Sequence, residues 1–291
     1  MSMLITVFTP TYNRAHLLPR LYESLKCQSF KDFEWLIVDD GSTDNTDKVL
    51  AYILKDGLGE ADIRYFKQEN GGKHRAINHG VCEARGELFF IADSDDYLPI
   101  EALQIVADKY SMIKVDPKIG GVCGLDMALN GNVIGSGLPK DEILCNSIDL
   151  RLKYHVTGDL KEVFLTRVLK EFPFPEIDGE RFCPEALVWN RIAQKYDLLF
   201  INKPIYIAEY QEGGLTDRIV RVRMDSPIAS MICYKEYCKC NIPFKDKIKS
   251  AINFWRFASC SSLPFLKKSK GMLSWFWLCP AGLFMHYRDK K

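Results

Sequence analysis

Four short apolar runs punctuate the first hundred residues, and each ends in a polar loop. Residues 4–8, 35–38, 63–66 and 87–92 are rich in β-branched and aromatic side chains and read as strands. Helical segments are expected between them, from about residue 17 to 27, from a start near residues 42–46, and after Lys73. Strand alternating with helix predicts an α/β sheet. In open sheets of this kind, ligands bind beyond the carboxyl ends of the strands, so the four polar loops are expected to converge on one crevice.

The fourth loop carries the strongest chemical signal, Asp93-Ser94-Asp95-Asp96. Three carboxylates in four residues repel one another, and a fold that keeps them together supplies a cation. Carboxylate oxygens suit a hard divalent ion such as Mg²⁺ or Mn²⁺ with open positions for phosphate oxygens. A solvated acidic turn capping the next helix is the competing reading. The other loops are Thr9-Pro10-Thr11-Tyr12-Asn13-Arg14, Asp39-Asp40-Gly41-Ser42-Thr43-Asp44 and Asn70-Gly71-Gly72-Lys73. The last is a glycine-rich turn ahead of a helix, where backbone can approach an anion closely.

These four motifs, in this order and spacing, resemble the successive signatures of family 2 glycosyltransferases with the GT-A fold. The resemblance covers about residues 3 to 215 and implies an inverting transfer of a hexosyl or N-acetylhexosaminyl group from a UDP-sugar, with Mn²⁺ or Mg²⁺. It implies a Rossmann-like mixed sheet flanked by helices over residues 1–220, with 1–98 as the nucleotide-binding half and 99–220 as the acceptor half. Residues 221–291 then form a helical, basic-aromatic C-terminal extension.

On this reading the loop of Thr9, Pro10, Tyr12 and Arg14 meets the nucleoside, through backbone groups and Tyr12. Asp40 accepts from N3–H of uracil, while Asp39 or Asp40 also suits a helix cap. Asn70, Gly72, Lys73 and Arg75 face phosphate or base, and Asn78 holds the nucleotide loop. Asp93 and Ser94 meet the ribose or fix their own loop, and Asp95 and then Asp96 hold the metal, which neutralises charge on the leaving UDP. Inversion requires a general base to take a proton from the acceptor hydroxyl. Glu176, Asp178, Glu180 and Glu185 are the carboxylates available. Glu185 is preferred because it opens a helical run and the helix dipole keeps it ionised; it follows Pro184, where many relatives carry another acid, and Arg191 comes six residues later. Glu180 is the second choice. The glycines Gly213 and Gly214 predict a loop that closes over the diphosphate. The absence of Gln-x-x-Arg-Trp argues for single sugar additions. The expected acceptor is a lipid-linked or polysaccharide glycan in cell-surface polysaccharide synthesis; the alternative is an inactive nucleotide-sugar-binding or scaffold protein.

Charge changes this picture in one respect. The 291-residue chain carries a formal net charge of only +1. From residue 241 onward, ten Lys or Arg face two Asp, a balance of +8, so the first 240 residues carry −7. The basic stretch is interleaved with Phe254, Trp255, Phe257 and an apolar run over residues 273–285 that Pro280 interrupts. About 13 residues is too short to span a bilayer, but aromatics among lysines suit a helix lying in the headgroup layer. A peripheral location on the inner face of the cell membrane is therefore expected, with a core or dimer helix as the competing reading. Ten cysteines lie scattered without C-x-x-C pairs, and no signal peptide precedes the first strand, so free thiols in the cytoplasm are expected. His74, His79, His155 and His286 lack metal-ligand spacing.

Other classes fit poorly. No G-x-G-x-x-G follows the first strand, as a dinucleotide-binding fold requires. A sugar-phosphate nucleotidyltransferase would need a glycine-rich loop where Thr9 to Arg14 has none. No feature points to nucleic acid.

Overall fold

A computed structural model describes residues 3–209 and 215–290. By internal contacts the chain divides into two units, one made of the chain to Pro173 together with Lys195–Glu209, the other of Phe174–Gln194 and the chain after Glu209.

The first unit is an α/β sheet. Its elements in order are β1 (Ile5–Thr11), α1 (Leu18–Lys26), β2 (Phe33–Asp39), α2 (Thr46–Asp56), β3 (Asp62–Lys67), α3 (Lys73–Glu83), β4 (Leu88–Ile91), α4 (Ala102–Ile113), β5 (Ile119–Ala128), β6 (Glu142–Cys145), α5 (Ser147–Lys153), β7 (Leu160–Leu165), α6 (Thr166–Glu171) and β8 (Asp197–Ala208). The eight strands run in the order β3-β2-β1-β4-β7-β5-β8-β6. β1 to β4 are mutually parallel, while β7 pairs antiparallel with β4 and β5. The sheet is thus mixed, as expected from the sequence. β1, β2 and β4 are buried along their whole length. Strands covered on both faces carry continuous apolar runs instead of alternation, which is why these runs are legible in sequence. Within β2 the fully buried Glu34 is satisfied by Thr6, the Arg85 N–H and Arg64. A buried carboxylate needs such partners to be tolerated.

The second unit is helical. It contains α7 (Glu185–Ile192), α8 (Leu215–Asp225), α9 (Pro227–Tyr237), α10 (Phe244–Ala258), α11 (Phe265–Lys268), a 3₁₀ turn (Leu273–Leu278) and α12 (Cys279–Asp289). Its core gathers Met231, Ala251, Phe254, Trp255, Ala258, Met272 and Leu278. Phe254, Trp255 and Phe257, grouped with the surface-seeking aromatics in the sequence reading, are each no more than 2% exposed. Burial of a side chain of that size contributes on the order of 1.5–3 kcal/mol, so α10 is a packing helix. Pro280 interrupts the tail as the sequence predicts, standing in the first turn of α12, where its missing N–H costs nothing. Among the described residues no helix is long and apolar enough to cross a membrane. All ten cysteines are free.

Candidate active site

The loops after β1, β2, β3 and β4 leave the carboxyl ends of adjacent parallel strands, so they lie side by side. The first two are stitched together. Asn13 adopts φ 53°, a left-handed conformation that Asn tolerates. This turns its side-chain oxygen to accept from the Thr43 N–H at 2.8 Å, while its own N–H donates to Ser42 Oγ at 2.8 Å. Thr9 and Pro10 are buried in β1, and Thr9 Oγ1 accepts from the Trp35 indole at 2.9 Å. Their side chains therefore face the core and not a ligand. Tyr12 is 46% exposed, and Arg14 is half-buried.

Asp39 and Asp40 divide their roles. Asp39 is fully buried and receives the Ser42 N–H at 2.8 Å, closing its own loop. Asp40 gathers the next loop. Its Oδ1 accepts from Gln68 Nε2 at 2.8 Å and the Gly71 N–H at 2.9 Å, and its Oδ2 from the Gly72 N–H at 2.7 Å and Asn70 Nδ2 at 3.2 Å. Two oxygens with about four lone-pair sites are thus fully used. The glycine N–H groups expected to meet phosphate are held by this carboxylate, as is the acceptor capacity expected to read a base. Gln68 also links to His79 at 2.9 Å, which gives that histidine a structural partner. The loop needs its glycines: Gly72 has φ 96°, and at Gly41 (φ 81°) a Cβ would come within 2.9 Å of the Asn70 nitrogen. Arg75 lies along Gly71, so a side chain there would require Arg75 to move. Asn78 is half-buried on α3.

The acidic loop after β4 is organised differently. Asp93 pairs with Lys73 at 2.7 Å, and Asp95 with Arg14. Arg20 on α1 bonds the Asp95 carbonyl and Glu209, and lies over the Tyr97 ring. Asp96 is buried and accepts the Glu209 N–H at 2.9 Å. Ser94 is buried within the turn. Burial acts to raise the Asp93 carboxyl, but Lys73, Lys161 and Arg14 outweigh it and hold it below the usual range. Asp96 goes the other way: burial first, then the charges of Asp93 and Asp95, push it up to about 6.

Three residues of this cluster were not picked out from the sequence. Asp126 on β5 is 5% exposed, its Oδ1 has no hydrogen-bond partner, and burial with the charges of Asp159, Asp96 and Asp93 pushes it up to about 6. Tyr206 on β8 receives the Asp93 N–H at 2.7 Å. Lys161 on β7 lies 3.5 Å from the centre of the Tyr206 ring and opposes the rise of Asp96 and Asp126. A lone carboxylate inside the apolar run of residues 119–128 was the one available signal. Lys161 and Tyr206 arrive by strand pairing alone.

Among the described residues no three His, Cys, Asp or Glu side chains are arranged to hold a metal by themselves. The donor chemistry still suits Mg²⁺ or Mn²⁺, which bind through one or two carboxylates plus substrate phosphates. The raised Asp96 carboxyl marks negative charge that a cation would relieve.

In the helical unit, Glu185 is the first residue of α7 and half-buried. Glu180 is a helix anchor: its two oxygens accept the Ile228 and Ala229 N–H groups at 2.6 and 2.8 Å at the start of α9. Arg191 makes a two-pronged bond with Glu236 at 2.7 and 2.8 Å. Glu176 and Asp178 are exposed. Gly213 and Gly214 lie outside the described residues.

The order of strands and the loop cluster at their carboxyl ends define the GT-A class of nucleotide-sugar folds. Residues 6–116 match the family described as glycosyl transferase family 2. The glycosyltransferase GlyG of Streptococcus pneumoniae is 28% identical over 228 residues, 74% of this chain and 73% of that protein. A GalNAc(5)-diNAcBac-PP-undecaprenol beta-1,3-glucosyltransferase of Campylobacter jejuni is 31% identical over 207 residues, 70% of this chain and 63% of its own length. Residues 1–349 of S. aureus TarS, solved with UDP-GlcNAc, superpose with a TM-score of 0.65 at 21% identity, covering 89% of this chain and 72% of that one. Residues 6–116 thus carry the glycosyl transferase family 2 match, and the chain has the GT-A fold.

Proposed function

We propose that the protein transfers a hexosyl or N-acetylhexosaminyl group from a UDP-sugar, with inversion, to a hydroxyl of a lipid-linked or polysaccharide glycan in cell-surface polysaccharide synthesis. The observation that carries this reading is the loop Asp93-Ser94-Asp95-Asp96, set at the end of β4 between the cations Lys73 and Arg14. Charges of both signs held at one strand end suit a diphosphate: Lys73, Arg14 and Arg75 attract it, while the carboxylates accept a cation or the ribose hydroxyls. The exposed ring of Tyr12 offers a face to the base. Asp40 acts by holding the loop of Asn70 and Gly72, and a base contact would require it to exchange one of its present bonds. Support for the substrate classes comes from the relatives: TarS was solved with UDP-GlcNAc, and the Campylobacter protein is named for an undecaprenol-linked acceptor.

Asp95 and Asp96 would hold Mn²⁺ or Mg²⁺, which when bound neutralises charge on the departing diphosphate. Glu185 is assigned as the base that takes the acceptor proton; the assignment rests on its place at the start of α7, where the helix dipole favours the ionised form. The +8 tail is assigned to the surface of the membrane, on its cytoplasmic face.

The test is a panel of UDP-sugars with Mn²⁺ or a chelator, read by thermal shift and by UDP release. A matching donor at about 100 times its Kd should stabilise the protein by roughly 2.7 kcal/mol. Glu185→Gln should keep that stabilisation and lose transfer, because a base acts in the transition state. A protein that no UDP-sugar stabilises, with no UDP released, would end this reading.

A further inference from the structure

The end of the helical unit departs from an ordinary protein surface. Eighteen large apolar side chains are exposed among the described residues, and eight of them fall between Phe265 and Tyr287. Leu266 is 81% exposed, Phe284 70%, Leu273 62% and Trp277 61%. Soluble monomers rarely carry so dense an apolar patch without a use for it. The patch is continuous with the core. The ring of Phe276 stands 5.6 Å from Phe265 and 5.4 Å from buried Trp255. On α12, Gly282 and His286 face inward, while Leu283, Phe284 and Tyr287 form the opposite side. This is the division of faces expected of a helix lying flat on an apolar medium.

The polar residues around this face share one sign. Asp289 is taken up by Arg256 in a buried ion pair. Among the described residues no carboxylate pairs with Lys267, Lys268, Lys270 or Lys290. A cleft of about 390 Å³ opens beside α12, lined by Trp255, Phe265, Lys268, Leu283, Tyr287 and Lys290 among others. The Lys268 ammonium is held at its wall by the Ala258 carbonyl at 3.0 Å, which leaves two of its three donors for a ligand. A second copy of the chain fits poorly here, because a two-fold contact would set this lysine-rich rim against itself.

We propose that this face docks on an anionic phospholipid surface, with Leu266, Leu273, Phe276, Trp277 and Phe284 in the acyl boundary and one headgroup phosphate in the cleft between Lys268 and Lys290. This rests on the reading that the tail meets a membrane, and it adds which residues enter, which stay out and which lipid charge is selected. Phe254 and Phe257 take no part, since they are core, and buried Trp255 only backs the cleft.

The experiment is sedimentation of the full chain with vesicles of phosphatidylcholine alone or of phosphatidylcholine mixed with phosphatidylglycerol, whose anionic headgroups give the surface its negative potential. The wild type should bind the anionic vesicles and bind neutral ones far more weakly. Lys268→Gln with Lys290→Gln should weaken anionic binding about fivefold per lysine, most clearly at low salt. Trp277→Ala with Phe284→Ala should remove most of the binding that survives high salt, because apolar burial is not screened. Both changes should leave hydrolysis of a soluble UDP-sugar and the melting temperature as they were. If the wild type binds anionic vesicles and both double variants bind equally well, this face is wrong while the membrane reading stands. If the wild type ignores anionic vesicles, both fall. A wild-type dimer that Trp277→Ala dissociates would assign the face to a second copy and overturn the proposal.

Discussion

β2 and β4 flank β1 on either side, and each leads into a loop rich in aspartate. The two loops use those carboxylates in opposite ways. After β2, Asp40 is a closed account of hydrogen bonds: four donors for two oxygens, all from the neighbouring loop. After β4, Asp93 and Asp95 lean on long, movable cations, Asp96 is pushed up to about 6, and Asp126 beside them keeps a buried oxygen without a partner. The first arrangement builds a scaffold. The second stores unfavourable charge that an incoming cation or sugar hydroxyl relieves, and such imbalance is what a binding site needs. The same residue type thus serves structure at one strand end and chemistry at the next, and only the partners tell them apart.

Substitutions should separate the two loops by stability. Asp40→Ala leaves the N–H groups of Gly71 and Gly72 and the Gln68 amide without an acceptor, while the Asn70 amide keeps the residue-40 carbonyl at 2.9 Å. Hydrogen bonds to a charged group are worth about 1.5–3 kcal/mol each and are not additive, so a loss of roughly 3–5 kcal/mol is expected in urea unfolding. A loss below about 1 kcal/mol would erase the contrast with the acidic loop.

Asp126→Asn should act in the opposite sense, and with pH. Its folded carboxyl lies near 6 against an ordinary value of 3.8. Between about pH 4 and pH 6 the folded chain therefore holds more protons than the unfolded one, and stability falls as pH rises through that window. The deficit persists above it. The Asn variant lacks this deficit, so relative to the wild type it should gain on the order of 1–3 kcal/mol on going from pH 4.5 to pH 7.5 in chelator. Equal differences at both pH values would mean that Asp126 is not under charge strain.

Asp95→Asn should change stability least, by less than about 1 kcal/mol, because its bond to Arg14 is partly exposed and solvent screens it. It should instead abolish the Mn²⁺-dependent part of UDP-sugar binding. Unchanged Mn²⁺ dependence in calorimetry would remove Asp95 from the metal shell.

Much of this was legible in the sequence because buried parallel strands write themselves as apolar runs, as β1, β2 and β4 do; the partly exposed β3 was legible from its β-branched and aromatic residues, and all four runs became strands with ends shifted by a few residues. The loop motifs were legible as motifs. Their inner division was not: Asp40 depends on Gln68 and Asn70 from a different strand end, and Glu180 turned out to anchor a helix that starts 47 residues later. Thr9, read as the start of the loop, lies within β1 three residues before Tyr12 and its side chain points inward to Trp35. The tail shows the same limit. Trp255 and Trp277 look alike in sequence, but one packs within the core and the other is 61% exposed, and the difference lies in which helix returns to cover them.

The placement of β8 has a consequence for how the protein is made. β8 lies between β5 and β6 in the sheet, yet it is encoded last, after the chain has left the sheet over residues 174–194 to contribute to the other unit. On the ribosome, β6 emerges more than fifty residues ahead of β8, its one strand neighbour among the described residues. Until β8 arrives, β5 and β6 each present an unpaired edge, the template for mispairing with another nascent chain. The β1–β4 half has its strands in hand early and can assemble first. Expression with a chaperone that shields edges should therefore raise yield more than any change in the loops, and slower translation between β6 and β8 should lower it, since the hazard is the wait for one strand.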